Sequence, residues 1–333
     1  MAAPTYADVA RLAGVGAATV ERVLNGRGGV RPETVEKVLA AARALDHPRR
    51  LPAVHRGITR IEVILVRPET TFFGRLAASF ERVSAGLDPS LQVHRTFVAE
   101  TDAEGIAERI GRPRHRRGGL VCAVPDHPLI RAALGRVVAE GLPVVQVVTR
   151  ATGVAAEFVG IDHMAAGRVA ALLMARMQAR GGPVVALCHS GAYAAHRERI
   201  AGFGECLARH GRADLPFARV LFHGDEAQKA GDLVLEALRE WPDLAGLYNA
   251  GGANRSVAAA LRARGRDVFF VGHELTEGSA ASLRDGVMAV VLDQAPEAQA
   301  RRAMDLMLSR LGFGAKDVPN PPIRFVTVTA ENI

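Results

Sequence analysis

From Arg60 to Leu292 the chain alternates short, unbroken apolar runs with stretches of helical period, and this alternation restricts the fold more than any other feature. The runs cover 61–66, 120–124, 144–148, 158–161, 184–188, 220–222, 246–248, 268–271 and 288–292. Helical stretches lie between or after them at 74–87, 128–140, 164–180, 196–210, 226–239, 254–264 and 296–311. A strand that is apolar on both sides must be buried on both sides. Strand–helix alternation therefore predicts a mainly parallel sheet covered by helices. Roughly 270 residues are too many for one such sheet, so two lobes are expected. Ligands in these folds sit beyond the carboxyl ends of the strands.

The first 46 residues break the pattern. Thr5 stands at an N-cap position with Asp8 three residues on, a variant of the capping box. Val9 and Leu12, helped by Ala10 and Ala13, give a first helix its apolar stripe. Gly14 suits the left-handed residue that ends a helix, and Val15 plugs the turn. Val20, Val23 and Leu24 form the inner face of a second helix that Asn25-Gly26 stops. A third helix starts near Pro32-Glu33 and runs to about Leu45, burying Val35, Val38, Leu39, Ala42 and Leu45. Two short helices around a tight glycine turn are the helix-turn-helix device, which lays its second helix into the DNA major groove.

The wording of this segment resembles the headpiece of the LacI/GalR family of bacterial transcription regulators. Thr5, Asp8-Val9-Ala10, Ala13-Gly14-Val15, Thr19-Val20, Arg22-Val23-Leu24-Asn25, Val30, Thr34 and Val38 fall in register with that family's text. The resemblance implies DNA contacts from Thr5, Tyr6, Gly16, Ala17, Ala18, Thr19, Arg22, Asn25, Arg27 and Val30. Gly16 and Glu21 stand where the family commonly has Ser; the first loses a hydroxyl, and the second puts a negative charge near the backbone. Ala17 and Ala18 can offer base edges only contact with a thymine methyl. Arg22 can take guanine bidentately or clamp a phosphate, and the sequence leaves both open.

Charge agrees with that placement. Residues 1–60 hold ten Lys or Arg against five Asp or Glu, so five of the seven net positive charges lie there. Residues 48–59 read as a linker, with Pro48, Pro52 and Gly57. In the family this region becomes a short helix whose apolar residue wedges into the minor groove. The family's text for it is absent here, and the stretch is about three residues short. Leu51 or Val54 could be the wedge, with Arg49, Arg50 and Arg56 on phosphates. A basic flexible tether is the equal alternative.

The remainder, 61–333, resembles the type-1 periplasmic binding proteins and effector domains built from them, closest to the ribose-binding branch. The resemblance is carried by Val159-Gly160-Ile161-Asp162 with Ala166-Gly167-Arg168, by Ala195-His196-Arg197-Glu198-Arg199 with Gly202-Phe203, by Val271-Gly272-His273-Glu274 and by Asp293-Gln294-Ala295-Pro296. It implies chain crossings between lobes near Asp162, Leu292 and Val318. It also implies a sugar-like effector between the lobes. Flat rings stack on sugar faces and planar polar groups bind vicinal hydroxyls in pairs. Phe72 and Phe73 are the implied stacking rings. Arg150, His196, Arg197, Asn249 or Asn254, His273, Glu274 and Gln294 are the implied polar contacts. Phe72-Phe73 could instead be core, the Arg197-Glu198-Arg199 run a solvated face, and His196 structural. Thr149 and His273-Glu274 depart from the group's usual Asp and Phe-Asp, so ribose itself is not expected.

No phosphate loop, hydrolase elbow or zinc-protease motif occurs, and Cys122, Cys188 and Cys206 lack metal-ligand spacing. No cofactor or metal is implied. Scattered cysteines and the lack of a signal or spanning segment suit a cytoplasmic protein, at the nucleoid when on DNA. The expectation is thus a small all-α helix-turn-helix headpiece (1–47), a linker (48–59) and a two-lobed α/β effector domain (60–333). Its N-lobe comprises about 60–161 and 293–318, and its C-lobe 162–292 and 319–333. The expected function is a homodimeric, ligand-responsive regulator, a repressor of carbohydrate or polyol genes, that binds a double-stranded DNA operator and no membrane. An enzyme on the same two-lobed fold, and a DNA binder that no longer senses ligand, remain alternatives.

Overall fold

A computed structural model describes residues 4–25, 29–45, 47, 58–210, 212–224, 226–265 and 267–333. The chain divides into two compact units, Met1–Thr59 with Asp88–Gln92, and Arg60–Leu87 with Val93–Ile333.

The first unit holds α1 (Tyr6–Ala13), α2 (Ala17–Leu24) and α3 (Pro32–Ala44). The capping box forms as expected: Asp8 N donates to Thr5 Oγ1 at 3.4 Å, and Thr5 N donates to Asp8 Oδ2 at 2.9 Å. Gly14 ends α1 at φ 66°, a conformation that favours glycine. Val9, Ala10, Val20, Val23, Leu24, Val38, Leu39, Ala41 and Ala42 close the core. Leu12 differs from expectation: it is 57% exposed. At 100° per residue the inner face of α1 is centred between Val9, Ala10 and Ala13, which turns Leu12 outward.

Two sheets follow α3 along the chain. The first contains β1 (Thr59–Val66), β2 (Leu91–Val98), β3 (Gly119–Ala123), β4 (Val144–Val147) and β5 (Glu157–Val159), in the order β2-β1-β3-β4-β5. Its helices are α4 (Thr71–Ser84), α5 (Ala103–Gly111) and α6 (Pro128–Ala139). The second sheet contains β6 (Val184–Cys188), β7 (Phe217–Phe222), β8 (Gly246–Asn249), β9 (Phe269–His273), β10 (Val290–Asp293) and β11 (Val326–Val328), in the order β11-β10-β9-β8-β6-β7. It carries α7 (His163–Met177), α8 (Ala194–Arg209), α9 (Ala227–Glu240), α10 (Asn254–Ala263) and α11 (Glu277–Arg284). The pairings β1–β3, β3–β4, β4–β5, β6–β7, β6–β8, β8–β9 and β9–β10 are parallel, and β10–β11 is antiparallel. A last helix, α12 (Pro296–Arg310), leaves β10 and packs against α4, β3, β4 and β5 of the first sheet.

Central strands β1, β3, β4, β6 and β8 are the continuous apolar runs, buried on both faces. Edge strand β2 alternates, and Phe97 on it is exposed. A search for unbroken apolar runs passes over such a strand, and also over the short α5, α11 and β11. Helices α7 and α8 touch backbone to backbone. A Cβ on Gly167 would collide with the carbonyl of Arg199, and one on Gly202 with that of Met164. This contact fixes how deeply α8 sits, and with it the side chains on its inner face.

Candidate functional site

A cavity of about 650 Å³ opens at the carboxyl ends of strands from both sheets, within the range of small-molecule sites. Five described non-glycine residues have left-handed backbones: Arg67 (φ 50°), Val148 (67°), Ala253 (64°), Glu274 (70°) and Ala295 (51°). They follow β1, β4, β8, β9 and β10, respectively. Four of them line the cavity, and Ala295 adjoins Gln294, which does. Each such residue costs about 1 kcal/mol or more, and such strain gathers at functional sites.

The wall from the second sheet is built around Arg199, which is 3% exposed. Its Nε donates to His163 Nδ1 at 3.2 Å and its Nη1 to the Ala250 carbonyl at 2.9 Å, while Nη2 has no partner. His163 Nε2 lies 2.6 Å from the carbonyl of Val148 and so donates. That leaves Nδ1 to accept from Arg199, which fixes one neutral tautomer. Burial, then the Arg199 charge, lower the His163 pKa to about 3. Burial likewise holds His196 and His273 well below the usual imidazole range. His273 Nε2 meets the Tyr248 hydroxyl at 2.9 Å, and the Tyr248 ring stacks on Phe203 at 4.6 Å.

Glu274 is buried beside these groups. Its Oε1 accepts from Gln294 Nε2, whereas Glu274 Oε2 and Gln294 Oε1 have no partner. Burial, followed by the neighbouring charge of Asp293, raises the Glu274 carboxyl to about 8. At neutral pH it is therefore largely protonated and can donate as well as accept. Asn254 Nδ2 donates to the His273 carbonyl at 2.6 Å, and Asn254 Oδ1 accepts from Asn249 at 2.8 Å.

The opposite wall carries Phe72 and Phe73, packed edge to face at 5.4 Å on the first turn of α4. Arg75 of the same helix reaches across to Asp293 at 2.6 Å, to the Leu275 carbonyl at 3.0 Å and to Glu297 at 3.2 Å. Two more polar bridges join the lobes: Glu100 to His189 at 2.5 Å and Asp126 to Arg197 at 2.6 Å. Arg67 also pairs with Glu100, at 3.3 Å.

The structure brings together Phe72, Phe73, His196, Asn254, His273, Glu274 and Gln294 on the cavity wall. Three expected contacts lie elsewhere. Arg150 is exposed, pairs with Glu198 at 2.8 Å and lies over the Phe158 ring. Arg197 turns to Asp126 and to the Gly191 carbonyl. Asn249 is wholly buried and holds Asn254 and the Gly252 carbonyl. Sequence reasoning passed over Tyr193, Arg67 and Arg75 and named Arg199 and Thr149 without making them contacts; all five line the cavity. The signal for Arg199 was periodicity. It lies four residues after Ala195 and four before Phe203, inside the buried stripe of α8, whereas Arg197 is about 200° away from it.

In the headpiece, Gly16, Ala17, Ala18 and Arg22 are exposed at the turn and along α2, with Thr19 and Asn25 half-buried beside them. Thr5 is exposed but spends its hydroxyl on Asp8 at 2.6 Å. Tyr6 stacks on His47 at 5.6 Å, and Tyr6 and Val30 both pack against the core, so each is half-withdrawn from any ligand surface. Arg27, Arg49, Arg50, Leu51 and Val54 lie outside the described residues.

Known proteins share both parts. The family described as bacterial regulatory proteins, lacI family, matches residues 5–48, and the periplasmic binding protein domain matches 117–316. A sucrose operon repressor of Pediococcus pentosaceus is 42% identical over 83 residues, 24% of this chain and 26% of that protein. The chain spans only about a quarter to a third of the length of the curated relatives it matches. A glucose-galactose binding protein from Geobacillus stearothermophilus shares the fold at TM-score 0.71 and 16% identity, over 82% of this chain and 99% of that one. A solute binding protein from Burkholderia graminis in complex with D-arabinose does so at 0.73 and 18%, over 83% and 96%. The fold and the cleft thus define a helix-turn-helix protein with a periplasmic-binding-type body. The chain belongs to the periplasmic binding protein domain family, matched over 117–316, and carries at 5–48 a segment similar to the lacI family of bacterial regulatory proteins. Among the described residues no helix is long and apolar enough to cross a membrane.

Proposed function

We propose that this protein is a ligand-responsive, sequence-specific DNA-binding repressor of carbohydrate or polyol genes, working as a cytoplasmic homodimer. The observation that carries the effector site is the ring of left-handed residues around the cleft. Backbone strain repeated at the ends of five strands is hard to explain by packing, and it aims side chains from both lobes at one space. The polar atoms without partners on Arg199, Glu274 and Gln294 suit a ligand rich in hydroxyls. Phe72 and Phe73 supply the apolar face. A sucrose operon repressor among the relatives, and a glucose-galactose binding protein and a D-arabinose complex among the proteins of the same fold, support a sugar.

The proposed division is a headpiece at 1–47, a linker at 48–59 and an effector domain at 60–333. Residues 60–161 and 293–318 form one lobe and 162–292 and 319–333 the other. Ala17, Ala18 and Arg22 read DNA, with Gly16, Thr19 and Asn25 beside them. Effector closing the cleft shifts the population of lobe arrangements, and these set the spacing of two headpieces on one double-stranded operator.

A thermal-shift panel of sugars, polyols and sugar phosphates tests the reading. A ligand at about 100 times its Kd stabilises the native state by about 2.7 kcal/mol. A hit that disappears in Gln294→Ala supports the cleft. No stabilisation across the panel, or a hit untouched by that substitution, overturns the sugar assignment.

A further inference from the structure

Arg112-Pro113-Arg114-His115-Arg116-Arg117 places four arginines and a histidine in six residues between α5 and β3. Only the last arginine is used internally. Arg117 is buried and donates to Glu62 at 2.5 Å and to the Ile110 carbonyl, and Glu62 also accepts from Arg109 at 2.6 Å. That anchor leaves Arg112, Arg114, His115 and Arg116 exposed. Elsewhere on the surface this chain commonly pairs its arginines, as in Arg95–Glu81, Arg212–Asp214 and Arg219–Glu240. Among the described residues Arg112, Arg114 and Arg116 enter no ion pair. The closest offset is a shallow groove that Arg112 and Arg136 share with Glu108 and Glu140.

The loop's position gives this charge a use. Gly118 N donates to the Arg60 carbonyl at 2.8 Å, and Gly119 lies opposite Ile61 in the sheet. The loop therefore borders the strand end where the chain arrives from residues 48–59. We propose that Arg112, Arg114 and Arg116 form a second phosphate-contacting surface, which grips duplex DNA beside the segment held by the headpiece. This rests on the DNA-binding reading above. Twelve residues span at most about 40 Å, so DNA held by the headpiece is tethered near Arg60. Short tethers give effective concentrations of order millimolar, enough for weak phosphate contacts to be occupied. Such contacts carry no sequence information and reveal themselves in the salt dependence.

The test measures binding of the full chain to a mixed-sequence duplex of about 40 base pairs across a salt series, where each lost phosphate contact reduces the log–log slope by about 0.9. The variant Arg112→Ala/Arg114→Ala/Arg116→Ala should lose between about one and three from that slope, and about tenfold in affinity, with thermal stability unchanged. Arg239→Ala/Arg264→Ala/Arg284→Ala removes the same charge from exposed positions on the other lobe that enter no ion pair among the described residues. It should keep the slope. If both triple variants behave alike, the loop is no contact surface and the inference fails while DNA binding stands. If the unaltered chain shows no binding to the duplex, the DNA reading itself fails and takes this one with it.

Discussion

The two walls of the cleft solve the problem of facing a ligand differently. The wall from the first sheet meets it with two phenyl rings and with arginines that already have carboxylate partners, Arg67 with Glu100 and Arg75 with Asp293. Arg67, Glu100 and Arg75 keep partial contact with water, and the buried Asp293 also accepts from Leu275 N and Ala295 N, so neither pair is the sole support of its carboxylate's surroundings. The wall from the second sheet is buried. It sets neutral imidazoles, a guanidinium bonded to no carboxylate and a largely protonated carboxyl against one another. Among the described residues Arg199 Nη2, Glu274 Oε2 and Gln294 Oε1 have no partner in it, and a partly satisfied buried network is vulnerable to single changes. One wall is built to move and regrip, the other to hold its geometry.

The largest effect that could break this contrast comes from substituting one arginine on each wall. Arg199→Leu leaves His163 Nδ1 and the Ala250 carbonyl without their donor. A buried group left unpaired costs about 1–3 kcal/mol, partly offset here by removing a desolvated charge, so a net loss of about 3 kcal/mol is expected. Arg75→Leu strips the buried Asp293 of one donor but leaves it those from Leu275 N and Ala295 N, and Glu297 is exposed, so a smaller loss of about 1–2 kcal/mol is expected. Chemical denaturation of the two variants reads the difference. Equal losses would mean that the walls do not differ in kind.

Acid should separate the walls next. His163, His196 and His273 have depressed pKa values in the fold, so below pH 6.5 the unfolded chain takes up protons that the native state refuses. Their contribution is intact above 6.5 and is lost as pH falls, for His163 towards about 3. Glu274 works in the opposite direction. Its raised pKa contributes stability that is whole below about 4.5 and is lost as pH rises through about 8. Stability should therefore peak near pH 6.5, and Glu274→Gln should remove the alkaline limb alone. On the other wall Glu100, despite the cost of burial, is held below the usual carboxylate range by His189, so its contribution is lost only at lower pH. Hydrogen exchange at pH 5 should show the second sheet's elements loosening first. Uniform loosening would contradict the assignment.

The same contrast explains what the sequence revealed. The headpiece is made by local rules: a cap, a left-handed glycine and two short amphipathic faces. Each is written within a few residues, and all form as expected except for Leu12. In the cleft, residues placed by the end of a strand were legible, because Phe72, Asn254, His273, Glu274 and Gln294 each follow an apolar run. Residues placed by helix rotation were harder. Arg197 and Arg199 are two positions apart, and only the buried stripe of α8 decides that Arg199 faces inward. Interlobe bridges such as Arg75–Asp293 join residues more than 200 positions apart, and no local pattern announces them. Arg150 failed for a related reason: an arginine just after a strand can fold back over a ring, here Phe158, as readily as it can enter the cleft.

The smallest predicted effect sharpens the comparison furthest. Phe73 also packs against the core of the first sheet, whereas Phe72 is absent from that cluster. Phe72→Ala should therefore leave the unfolding midpoint almost unchanged. A stacked aromatic ring contributes about 0.5–1.5 kcal/mol beyond its area, so effector affinity should fall by at least about two- to tenfold. Titration calorimetry on Phe72→Ala, with Phe73→Ala beside it, reads the split. Phe73→Ala should lower stability and affinity together, while Phe72→Ala lowers affinity alone. If Phe72→Ala costs stability and spares affinity, the ring belongs to the core after all. The first sheet's wall would then have only its paired arginines with which to meet a ligand.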